Sequence, residues 1–214
     1  MPKVFFRGAF NSSSSLPFTL SNALKSDRFN LGLLSLSFSW IDMGFTQEHP
    51  SKDDSNESKE FMEWFTNHPV SKKISKPVNF ISHGNYKYLI SIDGFGAAWT
   101  RVPYILCTGS VLLLRADCHE FFYKLMQPNE THIEINSGLT NLEERYKYLE
   151  ENPEIAQRIG DQGRRFAIDY LNPDALDFYL KTVIYQLNEA YEPPESAWGK
   201  IKLTWAKMCL FLGV

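Results

Sequence analysis

Residues 88–92 and 110–114, Tyr-Leu-Ile-Ser-Ile and Ser-Val-Leu-Leu-Leu, are short and almost wholly apolar, and the stretch between them holds one short helix and two turns. Runs of this length bounded by turn residues read as strands buried on both faces, as in a parallel sheet covered by helices. Asp93-Gly94 closes the first run, helix formers extend from Ala97 to Leu106, and Cys107-Thr108-Gly109 turns the chain into the second. The pattern predicts a βαβ unit with a short crossover. Right-handed closure makes its strands parallel and sets both turns at one edge of the sheet. The expected fold class is therefore α/β, a Rossmann-like parallel sheet with helices on both faces.

The rest of the chain extends that pattern. Residues 3–6 read as a strand entering a Gly8-Ala9-Phe10 turn, residues 11–15 as a polar loop with four consecutive serines, and 17–25 as a short helical segment. In residues 31–40, Leu34, Leu36, Phe38 and Trp40 alternate with Ser35, Ser37 and Ser39, the period-two signature of a half-buried strand. Residues 47–60 are charged and polar, a surface loop by composition, followed by an aromatic helical turn at 61–65. The second half reads as helical: a short aromatic helix at 119–126, an edge strand at 131–135, a helix at 141–152, a helix opened by Pro153, and a last long helix after Asn172-Pro173. Their apolar stripes, such as Ile155, Ile159 and Phe166, are the spacing that core packing demands. Two domains are expected, a nucleotide-sugar-binding body over 1–192 and a tail over 193–214.

Composition bounds the function. A chain of 214 residues with 43% apolar content buries a sizeable core. A net charge of −3 gives no global basic field, which argues against nucleic acid as partner and requires any anionic ligand to be met locally. Cys107, Cys118 and Cys209 are odd in number and lack metal-ligand spacing, so they read as reduced thiols. With no signal-peptide pattern in residues 1–20 and no apolar run long enough to span a bilayer, a cytoplasmic setting is expected.

The corner at Asp93-Gly94 suits a phosphate. Main-chain N–H groups at a helix start are unpaired and lie at the positive end of the helix dipole, and Arg101, about one turn in, adds a planar forked donor. An ordinary strand-to-helix connection, with the arginine on a carboxylate, is the equally weighted alternative. Asp93 itself reads as a cap for backbone N–H groups.

Phe5-Phe6-Arg7-Gly8-Ala9 with its Ser-rich sequel, Tyr86 to Ile90 with Asp93-Gly94 and Arg101, Gly109-Ser110, and Glu120-Phe121-Phe122-Tyr123 with Leu125 and Pro128 together resemble glycosyltransferase family 90. That family includes the protein O-glucosyltransferases, the capsule-associated proteins and lipopolysaccharide-modifying proteins. The likeness runs from about residue 4 to 190 and implies the C-terminal, donor-binding half of a GT-B architecture. It implies a UDP-sugar as co-substrate, with no other cofactor and no metal, and a glycan or lipid-linked glycan such as lipopolysaccharide or capsule as acceptor. Arg7 and Arg101 then match the diphosphate-binding arginines, with Gly8, Ser12, Asp93, Gly94, Ser110 and Glu120 as further nucleotide-sugar contacts. In inverting members the general base comes from the N-terminal half, which this chain lacks, so no catalytic base is assigned and a truncated product or a subunit that borrows its acceptor site is expected. A non-catalytic nucleotide-sugar-binding module or a decayed transferase remnant remains the alternative.

Residues 198–214 stand outside the resemblance. Lys200, Lys202 and Lys207 are interleaved with Trp198, Trp205 and Phe211, which suits a peripheral membrane contact; packing of the tail against the body is the other reading.

Overall fold

The structure is a computed structural model that describes residues 1–10, 19–46, 55–98 and 100–190. Five strands form a parallel sheet in the order β2-β1-β3-β4-β5, with β1 Val4–Gly8, β2 Ile41–Phe45, β3 Tyr88–Ile92, β4 Val111–Arg115 and β5 Ile133–Glu134. Every residue of β3 and β4 is buried, which is why these two strands are continuous apolar runs rather than alternating ones. The α/β class expected from the sequence is the class observed.

The helices are α1 Leu20–Ala23, α2 Asp27–Ser37, α3 Asn56–Asn67, α4 Arg101–Thr108, α5 Leu142–Glu151, α6 Pro153–Tyr170 and α7 Pro173–Ala190. The pleat divides the core in two. Val4, Phe6, Tyr88, Ile90 and Val111 face one layer with Phe29 and Leu31 of α2, Phe61 and Phe65 of α3, and Leu149 of α5. Phe5, Leu89, Leu112 and Leu114 face the other, with Val102, Ile105 and Leu106 of α4 and Phe166 of α6. Met1–Leu171 forms one compact unit, and a second begins at Asn172. In the second unit α7 opens with the Asn172 side chain accepting from Ala175 N at 2.8 Å, and none of its residues is buried. Among the described residues no helix is long and apolar enough to cross a membrane. The tail reading at 198–214 and Cys209 lie outside the described residues.

Three expectations need correction. Residues 31–37 belong to helix α2, not to a strand: the Ser26 Oγ caps Phe29 N, Asp27 sits in the first turn, and the buried face is Phe29, Leu31, Gly32 and Ser35. Ser35 is buried while Leu36 is exposed, the reverse of what the alternation requires. Serine is tolerated in either period, so the cap outweighed the apparent alternation. The strand follows at Ile41–Phe45. The polar stretch before residue 61 contributes the first turns of α3, because Ser55 caps Ser58 N at 3.2 Å; residues 47–54 lie outside the described residues. Finally, the two turns of the β3-α4-β4 unit lie at opposite edges of the sheet. In a parallel crossover the chain leaves β3 at its C-terminal end and enters β4 at its N-terminal end, so Asp93-Gly94 and Gly109-Ser110 cannot share an edge.

Candidate functional site

The C-terminal edge of the sheet gathers charge. Arg28, in the first turn of α2, is buried and donates from Nη2 and Nε to Ile92 O at 2.9 and 3.2 Å and from Nη1 to Ala9 O at 3.0 Å. Arg101, the first residue of α4, reaches the same carbonyl: Nη1 lies 3.5 Å from Ile92 O and Nη2 lies 3.4 Å from Arg7 O. Both guanidiniums approach the Phe6 ring, with Cζ at 5.8 Å for Arg28 and 5.0 Å for Arg101. Burial and repulsion from Arg101 outweigh the opposing pull of Asp93 and bring the Arg28 pKa down to about 10, and burial also lowers that of Arg101. Both remain cationic at neutral pH. Among the described residues Arg101 makes no ion pair, so an anion at this edge would relieve the repulsion between two like charges.

Glycine makes the crowding sterically feasible. A Cβ at Gly8 would lie 2.7 Å from Phe6 Cζ and 3.1 Å from Arg101 Nη2, and one at Gly94 would lie 2.9 Å from Arg28 Nη2. Asp93 does cap main-chain donors, as its position at the turn suggests: Oδ2 accepts from Asp117 N and Cys118 N, both at 2.9 Å. Its Oδ1 is buried without a partner among the described residues. Thr100 makes no side-chain cap at the start of α4.

A further arginine at this edge, Arg115, is already neutralised. Arg115 Nε donates to Asp27 Oδ2 at 2.6 Å, its Nη1 and Nη2 donate to the two oxygens of Asp117 at 2.8 and 3.0 Å, and Asp27 Oδ1 accepts from Gly138 N at 2.8 Å. Hydrogen bonds and charge from Asp117 and Asp27 outweigh burial and raise its pKa. This network ties α2, β4 and the 136–139 turn together behind the Arg28 and Arg101 pair.

Beside it, a cavity of about 440 Å³ opens between the C-terminal ends of β4 and β5, lined among others by Ala116, His119, Tyr123, Gln127, His132 and Asn136. Burial takes the His132 pKa down to about 4, so this histidine is neutral at ordinary pH. Its Nδ1 is 3.1 Å from Thr131 Oγ1.

The residues singled out in the sequence are thus partly assembled. Gly8, Asp93, Gly94 and Arg101 come together at one edge. Arg7 lies nearby but is taken up by the neighbouring strand: Nη2 donates to Asp42 Oδ1 at 2.7 Å, while Nη1 donates to Asp42 O at 3.1 Å and Phe6 O at 2.9 Å. Glu120 precedes the 3-10 turn Phe121–Leu125 and makes no side-chain cap there. Ser110 is at the opposite, N-terminal edge, where its Oγ donates to Tyr86 O at 2.7 Å beside a second cavity of about 230 Å³. Ser12 lies outside the described residues. Arg28 was not anticipated; the Ser26-Asp27 cap, which places it in the first turn of a helix, is the signal that finds it.

The Arg7 contact carries a stability prediction. Tyr86 Oη also donates to Asp42 Oδ2, at 2.7 Å. Burial alone would raise the Asp42 pKa, but the hydrogen bonds from Tyr86 and Arg7 bring it below its ordinary 3.8. Its stabilisation is therefore present above pH 4 and is lost as pH falls through the depressed value. Asp42→Asn should cost about 1 kcal/mol at pH 7, a figure reduced for partial exposure, and the gap from wild type should narrow progressively as the pH is lowered below the ordinary carboxylate pKa in urea melts. A gap that stays constant across that range would contradict the assignment.

The architecture, a parallel sheet with helices on both faces, is of the kind found in one half of a GT-B fold. Among solved structures the chain resembles sucrose-phosphate synthase from Thermosynechococcus elongatus, a GT-B enzyme, at a TM-score of 0.54 over 88% of this chain and 46% of that one; at 12% identity the likeness is one of fold. The chain belongs to glycosyl transferase family 90, whose model matches residues 25–193, a span that includes Arg28, Asp93, Arg101 and Glu120 but not Arg7 or Gly8. Its relatives include protein O-glucosyltransferase 3 of Homo sapiens, 32% identical over 60% of this chain and 24% of the relative. Protein O-glucosyltransferase 1 of Bos taurus is 26% identical over 56% of this chain and 31% of the relative, and protein O-glucosyltransferase 2 of Danio rerio 34% identical over 53% and 23%. These matches span 23–31% of the relatives' lengths.

Proposed function

We propose that this chain binds the nucleotide-sugar donor of a family 90 glycosyltransferase, with a UDP-linked sugar as donor and Arg28 and Arg101 as the diphosphate contacts. The observation that carries the reading is the convergence of these two guanidiniums on Ile92 O, between Gly8 and Gly94, with their pKa values lowered by burial. Arg28 takes the part that the sequence resemblance gives to Arg7, whose fork is occupied by Asp42.

The chemistry follows from charge. As the bond between the sugar and the diphosphate breaks, negative charge gathers on the leaving phosphate, and preorganised forked donors stabilise it more than they stabilise the bound donor. In this reading the neutralisation comes from the protein's guanidiniums rather than from a metal ion. No residue of this chain is assigned as the base that deprotonates the acceptor hydroxyl. The acceptor is proposed as a glycan of lipopolysaccharide or capsule type, reached from the cytoplasmic side with 198–214 as the membrane contact. The relatives' names specify glucose and protein, which makes UDP-glucose the first donor to assay and a hydroxyl-bearing polypeptide the second acceptor. A second reading with the same donor contacts is a module that binds nucleotide sugar without transferring it.

The test is calorimetric titration of UDP and UDP-glucose, followed by assays of donor hydrolysis and of transfer to both acceptor classes. Binding with transfer supports the enzyme, binding without transfer supports the module, and absence of UDP binding overturns the donor reading. A steric control sharpens it. Gly94→Ala, whose Cβ meets Arg28, should weaken UDP binding about fivefold or more, whereas Gly96→Ala, whose Cβ meets nothing within 4 Å, should leave it unchanged. Equal affinities for the two variants would remove Arg28 from the site.

A further inference from the structure

Formal charge alone does not make the C-terminal edge of the sheet attractive to an anion. Arg28, Arg101 and Arg115 stand there together with Asp27, Asp93 and Asp117, so these side chains as a set carry no net charge. An anion is drawn to such an edge only where the carboxylates are held apart from the guanidiniums that would receive it.

Arg115 does that separating. It is the register partner of Ile92, whose carbonyl accepts from both Arg28 and Arg101. Its Nε takes Asp27 Oδ2 and its terminal nitrogens take the two oxygens of Asp117, while the remaining Asp27 oxygen accepts from Gly138 N. The Arg115 and Asp27 side chains are each 9% exposed, whereas that of Asp117 is 75% exposed. Solvent screens Asp117, so the acid whose placement matters is Asp27.

Asp27 directly precedes Arg28 in the first turn of α2. An unpaired carboxylate at that buried position would act at short range and in a low dielectric on the Arg28 charge and on a phosphate bound to it. The chain holds the carboxylate from two sides. Besides Arg115 at the end of β4, the 136–139 turn delivers the Gly138 N–H through two successive residues with positive φ, Gly138 at 71° and Leu139 at 58°. Leu139 is buried, and a non-glycine residue in that region persists only where its surroundings fix it.

We propose that Arg115 is a positioning residue that sequesters the Asp27 carboxylate and thereby preserves the anion affinity of the Arg28 and Arg101 pair. The inference rests on the donor-binding reading and assigns the sign of the field at that site to an ion pair behind it.

Two substitutions break this ion pair and shift the charge in opposite directions. Arg115→Met leaves Asp27, among the described residues, with the Gly138 N–H alone. Asp27→Asn keeps the shape of the side chain and an acceptor for Gly138 N, and it removes the negative charge. A network that served only as a scaffold would make both variants bind UDP more weakly. Sequestration predicts that Arg115→Met loses about fivefold or more in UDP affinity and that Asp27→Asn gains about twofold or more, both read by calorimetric titration at low ionic strength. An Arg115→Met protein that loses less than this, or an Asp27→Asn protein that fails to gain, overturns the proposal. Should Arg115→Met not fold, Asp27→Asn decides alone, because scaffold and sequestration give it opposite signs. A wild type that binds no UDP refutes the donor-binding reading and the proposal with it, whereas a wild type that binds UDP beside variants that break the predicted pattern refutes the proposal alone.

Discussion

Arg101→Ala is expected to lower UDP affinity at least tenfold while the melting temperature stays within about 3 °C of wild type. The two halves of that expectation have different causes. A charge-assisted hydrogen bond to a phosphate contributes about 1.5–3 kcal/mol, and 1.4 kcal/mol is already a factor of ten. In the fold, by contrast, the hydrogen bonds Arg101 makes among the described residues are long, 3.4 Å to Arg7 O and 3.5 Å to Ile92 O, and its charge is felt by Arg28 as a repulsion. Little stability is lost with it, and relief of the repulsion offsets part of that. Arg28→Ala should behave differently, because Ile92 O and Ala9 O both lose a short hydrogen bond from a buried donor. It should weaken UDP binding and also cost about 2–4 kcal/mol of stability, read in calorimetry and thermal melts side by side. Arg101→Lys should fall between wild type and Arg101→Ala, since it keeps the charge and loses the planar fork. A large fall in melting temperature for Arg101→Ala with unchanged UDP affinity would make Arg101 a structural residue.

Gly160→Ala is expected to cost stability without touching the candidate site. An added Cβ would lie 2.2 Å from Gly109 O and 3.2 Å from Gly109 C, and at Gly163, one turn on, it would lie 2.8 Å from Thr131 O. These neighbours are main chain and cannot rotate away. Gly109 caps α4 at φ 76° and leads directly into β4, so α6 must move off the sheet to make room. Overpacking of this kind costs about 3 kcal/mol, equivalent to a fall of about 6–12 °C in melting temperature for a domain of this size. The clash lies at the N-terminal edge of the sheet, away from Arg28 and Arg101, so the folded fraction of Gly160→Ala should keep its UDP affinity. A variant that melts like wild type would show that α6 does not pack on the α4-β4 turn in this way.

What could be read from the sequence follows physical lines. β3 and β4 were legible to within a residue because burial on both faces turns a strand into an unbroken apolar run. Pro153 marks the first turn of α6, and Asn172 caps the start of α7, so those boundaries were legible as well. The stretch 31–40 misled because serines fit either period, and the decisive signal was one residue, the Ser26 cap. That single error hid Arg28, which becomes a site candidate only once it stands in the first turn of a helix. Asp93 was legible as a cap, since its place after a buried strand dictates it. The Asp27, Arg115 and Asp117 network was not, because Asp27 and Arg115 are 88 residues apart and nothing local in either segment announces the pairing. Ser110 was grouped with the wrong edge through a topological error, not a chemical one.

The most direct test of the central claim is a crystal structure of the protein with UDP bound. Diphosphate oxygens within about 2.7–3.1 Å of guanidinium nitrogens of both Arg28 and Arg101, at the C-terminal ends of β1 and β3, are the predicted result. UDP seated elsewhere, whether at the Ser110 edge or on Arg7 with the Asp42 ion pair broken, would contradict it.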